Sequence, residues 1–311
     1  MGYNSLKKSW IFPGQASQFV GMGKDFFDST EIGKKYYNLA NDILEVDIQD
    51  ISFNGPEEKL KITKFTQPAI FIVSSIISHL LMEKGHLPDC VAGHSLGEYS
   101  ALTAAGGISF ELGLELVKIR AYSMYKAGTN NPGTMAAIIG LNMDSVFKLA
   151  KSINTNEVIV AANHNTENQI VISGNINAVN KFMSVAKENG AKMVIPLNVS
   201  GAFHSPLMQP AREELADKLN SIQISDINIP LYSNVNAKPT MIGSKIKESL
   251  ISQLESPVLW FQTINNMASK GNLDFLEIGP GKVLSGLNKK INRDFNTANI
   301  GTLIELNSYE I

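Results

Sequence analysis

Residues 87–106, LPDCVAGHSLGEYSALTAAG, decide the fold that the sequence predicts. The segment begins with a short apolar run, LPDCVAG, which is typical of a buried strand. A tight turn, GHSLG, follows, and EYSALTAAG is rich in residues that favour a helix. Strand, turn and helix around G-x-S-x-G form the pattern of a nucleophile elbow, with Ser95 between Gly93 and Gly97. Flanking glycines leave room for the strained backbone that lifts such a serine hydroxyl above a sheet.

Other apolar runs predict the elements around this turn. Residues 9–15 (SWIFPGQ), 229–235 (IPLYSNV) and 274–279 (DFLEIG) indicate strands, and residues 65–83 indicate a helix that is apolar on all sides. Buried strands that alternate with helices are typical of an α/β fold with a parallel sheet.

The pattern changes after residue 133. Segments 134–141, 157–165, 168–174 and 192–200 indicate strands, and 143–153 and 177–190 indicate amphipathic helices. The order β-α-β-β-α-β is the split βαβ pattern of ferredoxin-like folds. We therefore predict an inserted small domain at 132–198 within a larger domain made of 1–131 and 199–311.

Composition excludes several classes of function. The 311 residues are 44% hydrophobic and 18% charged, with 27 basic and 29 acidic side chains and no block of like charge. We therefore expect no nucleic-acid partner and no membrane partner. Cys90 is the single cysteine, which fits a reducing compartment. The longest apolar stretch, 69–82, is too short and too interrupted by polar residues to span a bilayer. We expect a cytoplasmic protein.

A nucleophilic serine needs a base, and the chain offers five histidines. His79 falls in the predicted buried helix, and His86 falls in a polar turn where we expect it to be solvated. His94 precedes the serine, but neighbouring side chains at a sharp turn point apart, so it is a poor base that can still line a pocket. His164 lies in a predicted strand-end loop. His204 lies in the loop after the small domain, where functional residues concentrate, and it leads without excluding the others. None shows metal-ligand spacing, so we expect no metal.

Five motifs together resemble one family. In order along the chain they are FPGQASQFVGMG (12–23), GHSLGEYSAL (93–102), GAFHSPLM (201–208), QLESPVLW (253–260) and EIGPGKVLSGL (277–287). They are similar to the motifs of malonyl-CoA:acyl carrier protein transacylases and of the related acyltransferase domains of polyketide synthases. The resemblance covers almost the whole chain, with Ala16 where the family usually has glycine. It implies an α/β-hydrolase-like large domain that carries a ferredoxin-like small domain.

The resemblance also implies catalytic roles. Ser95 matches the residue that accepts the acyl group, and His204 matches its base. The imidazole would be oriented by a backbone carbonyl near the Gln253 position, so no third acid is expected. Backbone N–H groups of Gln15 and Leu96 would form the oxyanion hole, and Ala16 adds a methyl group beside it.

Substrate contacts follow from the same resemblance. Arg120 matches the arginine that grips the malonyl carboxylate, although helix arginines commonly lie on a solvated face. Phe203 matches the form of its motif that selects malonyl over methylmalonyl. His94 and Gln15 would line the pocket, and Asn163 would either contact substrate or cap a turn.

The implied activity is transfer of malonyl from malonyl-CoA to the phosphopantetheine thiol of acyl carrier protein, through a malonyl-serine intermediate and without a bound cofactor. The expected pathway is fatty-acid synthesis. One alternative is a free-standing acyltransferase that supplies a polyketide synthase. The others are an acyl-thioester hydrolase, disfavoured because no histidine follows His204, and an inactive module that docks carrier proteins.

Overall fold

The structure is a computed structural model that describes residues 7–153 and 156–309. The other residues of the two predicted domains, 1–6, 154–155 and 310–311, lie outside the described residues. The strands of the described chain are β1 (Lys8–Phe12), β2 (Cys90–Gly93), β3 (Gly133–Ile139), β4 (Ile159–Thr166), β5 (Gln169–Asn175), β6 (Met193–Pro196), β7 (Leu231–Tyr232), β8 (Pro239–Thr240), β9 (Asp274–Ile278) and β10 (Asn296–Ile300).

The helices surround these strands and fill the connections between them. They are α1 (Lys24–Ser29), α2 (Glu31–Leu44), α3 (Ile48–Asn54), α4 (Glu57–Leu60), α5 (Thr63–Glu83), α6 (Gly97–Ala104), α7 (Phe110–Asn130), α8 (Met143–Ser152), α9 (Ile176–Glu188), α10 (Gln209–Ser221), α11 (Gly243–Gln253), α12 (Trp260–Ala268), α13 (Val283–Ile291) and α14 (Leu303–Ser308). A short 3₁₀ turn, Pro206–Met208, precedes α10.

The larger sheet has the strand order β10-β9-β1-β2-β7-β8. All neighbouring pairs are parallel except β7 with β8. Trp10 of β1 pairs with Val91 on one side and Leu276 on the other, and all three are buried. Strands covered on both faces are apolar along their length, as the sequence predicted. The predicted mixed α/β fold with a parallel sheet is confirmed.

The smaller sheet contains β3 to β6 in the order β4-β5-β3-β6, and every pair in it is antiparallel. Helix α8 lies between β3 and β4 along the chain, and α9 lies between β5 and β6. Val146 of α8 and Phe182 of α9 are buried against Ile138 and Ile172 in a core of their own. The six elements therefore have the predicted order.

Helix α5 contains the apolar stretch 69–82, and the expectation that this segment is too short to span a bilayer was wrong in its length argument. It extends over Thr63–Glu83, and by length and mean hydropathy alone it could cross a membrane. However, 78% of its apolar window is buried inside the protein. Phe71, for example, is fully buried and stacks near Phe110 at the start of α7. Contact with α7 and the sheet explains the all-round apolarity of α5.

Two predicted elements have different limits in the structure. The predicted strand at 229–235 is reduced to Leu231–Tyr232, and beyond it the Asn234 side chain accepts from the Ser95 N–H and donates to the Gly93 carbonyl at the elbow. Asn163 and His164 lie inside β4 rather than in the predicted strand-end loop. The backbone N–H of His164 donates to the Val258 carbonyl (2.9 Å), which extends pairing beyond the sheet.

Candidate active site

A cavity of about 410 Å³ lies where β2 ends at the elbow. Its lining includes eight of the predicted site residues: Gln15, His94, Ser95, Leu96, Arg120, Asn163, Phe203 and His204. Gln253, the remaining predicted residue, is fully buried and does not line the cavity. The structure thus brings together segments that are far apart in sequence.

The elbow has the strained geometry that its glycines suggest. Ser95 has φ 53°, a left-handed conformation that non-glycine residues rarely adopt. A Cβ atom at Gly93 would overlap the backbone of Gly97, and one at Gly97 would overlap the Phe12 carbonyl. The Ser95 N–H donates to Asn234 Oδ1 (2.7 Å), which holds the turn from the side of β7. The sheet and helix therefore approach so closely that only glycine fits on either side of the serine.

Ser95 and His204 form a hydrogen-bonded pair. The Ser95 hydroxyl lies 2.8 Å from His204 Nε2. On the opposite side of the ring, Nδ1 donates to the carbonyls of Gln253 (2.9 Å) and Ser256 (3.2 Å). A proton held on Nδ1 leaves Nε2 as the acceptor, so Ser95 Oγ–H donates to it. This is the arrangement of a nucleophile with its general base, oriented by backbone carbonyls.

His204 is held neutral at physiological pH. Only 4% of the residue is exposed, and its backbone has φ 57°. Burial, and then the positive charge of Arg120, lower the pKa of His204 to about 3. A neutral imidazole is the form that can take a proton from Ser95.

Arg120 lies in the middle of α7 and is fully buried, so the alternative that it lies on a solvated helix face is excluded. Its Nη1 donates to Gln67 Oε1 (2.6 Å), and its Nη2 donates to Ser95 Oγ (2.9 Å) and to Gln253 Oε1 (3.0 Å). The guanidinium carbon is 5.6 Å from the centre of the Tyr99 ring. Neutral amide oxygens orient the guanidinium fork next to the nucleophile.

Gln15 and Leu96 also line the cavity. The backbone N–H group of neither residue has a hydrogen-bond partner among residues 7–153 and 156–309. Leu96 is the N-cap residue of α6, and a helix N-terminus favours negative charge. Beside Gln15, Ala16 has φ 85°, the conformation for which glycine is favoured, and this exposed residue also lines the cavity.

His94 and Asn163 line the cavity, and Asn165, which is also in β4, holds the His94 ring by a hydrogen bond. The His94 Nε2–H donates to Asn165 Oδ1 (2.9 Å), and the ring packs 5.6 Å from Trp260, centre to centre. The His94 ring bonds to Asn165 and not to the Ser95 hydroxyl, in keeping with its poor geometry as a base. Asn163 Oδ1 is buried and lacks a partner in the described part of the chain. Of the two asparagines, Asn163 is the one that lines the cavity.

Three polar residues of the site escaped the sequence analysis: Gln67, Glu98 and Asn234. Glu98 Oε2 accepts from Gln253 Nε2 (2.7 Å) and from the Asn234 N–H (3.3 Å). Burial raises the pKa of Glu98 to about 7. One signal was available, because Glu98 is the only charged residue in the otherwise uncharged helix sequence GEYSALTA. Gln67 and Asn234 carried no comparable signal.

The remaining histidines lie elsewhere, and two of them contradict the sequence-based interpretation. His79 is 39% exposed and contacts Glu83, because it lies on the outer side of α5. His86 is buried rather than solvated, since its ring packs 5.3 Å from that of Tyr309. His164 accepts from Gln262 Nε2 (2.7 Å) outside the cavity. In the described residues no group of three or more His, Cys, Asp or Glu side chains is placed to hold a metal ion.

Comparison with known proteins gives one consistent family. Residues 9–304 match the sequence profile of the family described as "Acyl transferase domain". The malonyl CoA-acyl carrier protein transacylase of Bacillus subtilis (strain 168) is 43% identical over 292 residues, 94% of this chain and 92% of that protein. The protein of that name from Synechocystis sp. is 42% identical over 303 residues, which are 97% of this chain and 100% of the relative.

Solved structures agree with the sequence comparisons. The crystal structure of the Synechocystis malonyl-CoA:ACP transacylase matches with a TM-score of 0.91 and 41% identity, covering 97% of this chain and all of that one. A malonyl transacylase solved in complex with its type II polyketide synthase acyl carrier protein matches with a TM-score of 0.93 and 36% identity. That match covers 97% of this chain and 98% of the other.

Proposed function

The chain belongs to the acyl transferase domain family, and we propose that it transfers a malonyl group from malonyl-CoA to the phosphopantetheine thiol of an acyl carrier protein. The observation that carries this proposal is the buried guanidinium of Arg120, 2.9 Å from the Ser95 hydroxyl in the cavity. The names of the full-length relatives support the same activity.

The first half-reaction loads the serine. His204 Nε2 takes the Ser95 proton as Ser95 Oγ attacks the thioester carbonyl carbon of malonyl-CoA. The tetrahedral oxyanion would accept from the N–H groups of Gln15 and Leu96, whose lack of other partners supports this role. The intermediate collapses with cleavage of the C–S bond, and the imidazolium returns its proton to the departing CoA sulfur. A malonyl-serine ester remains.

The second half-reaction unloads the serine by the same route in reverse. The carrier's phosphopantetheine thiol gives its proton to His204 and attacks the ester carbonyl. The ester C–O bond then breaks, and His204 protonates Ser95 Oγ. Both half-reactions use the same Nε2 atom because Gln253 and Ser256 carbonyls hold the other ring nitrogen protonated. The cycle uses no bound cofactor or metal.

Arg120 accounts for the choice of substrate. A guanidinium pairs in a planar, bidentate manner with a carboxylate, and a neutral acyl chain offers it no such partner. Leaving a buried arginine without an anion costs more binding free energy than filling an apolar pocket poorly. The site should therefore discriminate strongly between malonyl and neutral acyl groups. Phe203, Gln15, His94 and Asn163 line the cavity and support its role as the acyl pocket.

We infer finer features of the fold in the same way. The strand order β4-β5-β3-β6, with α8 connecting β3 to β4 and α9 connecting β5 to β6, supports a ferredoxin-like small domain at 132–198. The elbow at the end of a central parallel strand supports an α/β-hydrolase-like large domain at 1–131 and 199–311. A cytoplasmic location and the lack of nucleic-acid and membrane partners stay predictions.

Fatty-acid synthesis is the pathway we favour, and polyketide synthesis is the second candidate. One observation supports the second: a similar structure is that of a malonyl transacylase bound to a type II polyketide synthase carrier protein. Loading rates on carrier proteins of both pathways, measured side by side with this enzyme, distinguish the candidates. Preference for the fatty-acid carrier is the expected result.

Substitution of Arg120 tests the proposed activity. Arg120→Ala is expected to lower malonyl loading by roughly 100-fold, because the substrate carboxylate loses its buried partner. Acetyl loading should change by less than about threefold, and Arg120→Lys should retain part of malonyl loading. Arg293→Ala, an exposed arginine after α13, is the matched control. Equal losses for malonyl and acetyl would contradict the carboxylate-binding role. Free malonate in place of malonyl-carrier would indicate a hydrolase.

A further inference from the structure

Glu98 is a fully buried carboxylate next to the site that the reaction sequence above does not use. It lies in the first turn of α6, on the helix that follows Ser95. Its Oε2 accepts from Gln253 Nε2 (2.7 Å) and from the Asn234 N–H (3.3 Å), whereas Oε1 has no partner within the described residues. A buried charge is costly, so its retention at this position calls for a specific role.

The side-chain amide of Gln253 connects Glu98 to the residues that react. Its Nε2 donates to Glu98 Oε2 and to the Ser95 carbonyl (3.0 Å). Its Oε1, on the other side of the amide, accepts from Arg120 Nη2 (3.0 Å). The Gln253 backbone carbonyl accepts from His204 Nδ1 (2.9 Å). One glutamine thus touches the nucleophile, the base and the arginine.

The charge on Glu98 favours one orientation of this amide, the same one that the Ser95 carbonyl and Arg120 Nη2 favour. An ionised carboxylate only accepts hydrogen bonds, so it requires the NH₂ group of Gln253 on its side. A flipped amide would place its oxygen against Glu98 and the Ser95 carbonyl, and its NH₂ group against Arg120 Nη2. All three contacts would then be repulsive. With the observed orientation, an amide oxygen holds each Nη group of Arg120, one from Gln67 and one from Gln253.

We propose that Glu98 is a positioning residue for malonyl selection, because it fixes the Gln253 amide that holds the Arg120 guanidinium in place for the substrate carboxylate. The inference rests on the proposed malonyl transfer. Glu98 acts through Gln253 and touches no reacting atom. Its loss therefore affects substrates that use Arg120 more than substrates that do not.

The decisive variant is Glu98→Gln, which keeps the size of the side chain but removes the charge that orients Gln253. At pH 8 we expect the ratio of malonyl to acetyl loading, each measured as kcat/KM, to fall by about tenfold, the effect of losing a charged hydrogen bond. Most of the loss should appear in KM for malonyl-CoA, and acetyl loading should stay within about threefold.

Glu277→Gln is the matched control, because Glu277 is also fully buried but caps α13 outside the cavity. It should leave the malonyl-to-acetyl ratio at the wild-type value. The proposal is overturned if Glu98→Gln leaves the ratio unchanged, if it lowers both substrates equally, or if Glu277→Gln lowers the ratio as well. Failure of the wild-type enzyme to load malonyl at all would contradict the proposed function instead.

Two measurements keep the test valid if Glu98→Gln does not fold. Gln253→Ala removes the same link from its other end and should also lower the ratio by about tenfold. The wild-type ratio should fall between pH 8 and pH 6 as Glu98 gains a proton. The charged and titratable groups that interact with Glu98 are Arg120 on α7 and Tyr99 on its own helix, and neither titrates in this range. A ratio that is constant over this range, or unchanged in Gln253→Ala, overturns the proposal.

Discussion

Two turns on either side of β1 have the same construction and different uses. On one side, β2 leads through the elbow into α6; on the other, β9 leads through GPGK into α13. Each turn joins a parallel strand to a helix through glycines, and each has a fully buried glutamate close by, Glu98 or Glu277.

The difference lies in what occupies the helix N-terminus. Glu277 supplies its own carboxylate to α13, where Oε1 accepts from the Leu284 N–H (3.0 Å) and Oε2 from the Ser285 N–H (2.7 Å). At α6, Glu98 is directed to Gln253 instead, and the Leu96 N–H is left without a partner in the described chain. A filled N-terminus stabilises the fold, whereas an open one is available to an anion that forms during a reaction.

Serine substitutions in the two turns should give the largest contrast. Ser95→Ala removes the nucleophile and should lower malonyl loading by at least about 10⁴-fold. Ser285→Ala removes a hydroxyl that lies outside the cavity, 3.4 Å from the Ala298 carbonyl, and loading should stay within about twofold. Initial rates with malonyl-CoA and carrier protein measure both. Residual loading of Ser95→Ala near the wild-type rate would contradict the assignment of the nucleophile.

Glycine substitutions test how tightly each helix is packed. A Cβ atom at Gly97 would overlap the Phe12 carbonyl, so Gly97→Ala should lower the free energy of unfolding by about 3 kcal/mol. In α13, Gly286 has no neighbour within 4 Å of an added Cβ. Gly286→Ala should therefore stabilise the protein by about 0.5–1 kcal/mol. Urea denaturation measures both changes, and a tolerated Gly97→Ala would refute the close approach.

The carboxylate of the second turn should matter for stability alone. Glu277→Gln replaces one of two acceptors with an NH₂ group facing an N–H donor, so it should lower the free energy of unfolding by about 1–2 kcal/mol. Malonyl loading per folded molecule should be unchanged. A loss of activity at full stability would show that the second turn takes part in the reaction.

The pH dependence of loading should report the protonation of His204, the partner of the serine in the first turn. Because the pKa of His204 is lowered to about 3, the base stays neutral and loading should not fall between pH 7 and pH 5 through its protonation. Arg120→Ala removes one cause of that lowering, so its acid limb should move to higher pH. Acetyl-CoA serves as the substrate for both enzymes. A wild-type limb near pH 6.5 would contradict the buried, neutral histidine.

Local sequence patterns, such as glycine spacing and hydrophobic periodicity, were enough to predict many of the strands and helices. The glycine spacing around Ser95 predicted the elbow, and periodicity predicted every strand and helix of the small sheet. What the pattern could not supply were contacts between distant segments. Gln67 lies in an apolar helix, and its direction toward Arg120 depends on how α5 packs against α7. Asn234 was assigned to a strand, because nothing local shows that the elbow needs its side chain.

In the proposed reaction, Ser95 carries the malonyl group between two thiols. Mass spectrometry of the intact protein and of its peptides, after brief exposure to malonyl-CoA, tests this role. We expect a malonyl adduct on Ser95 that disappears when carrier protein with its phosphopantetheine arm is added, with malonyl-carrier formed in equal amount. An adduct on another residue, or release of the group as free malonate when the carrier is added, would contradict it.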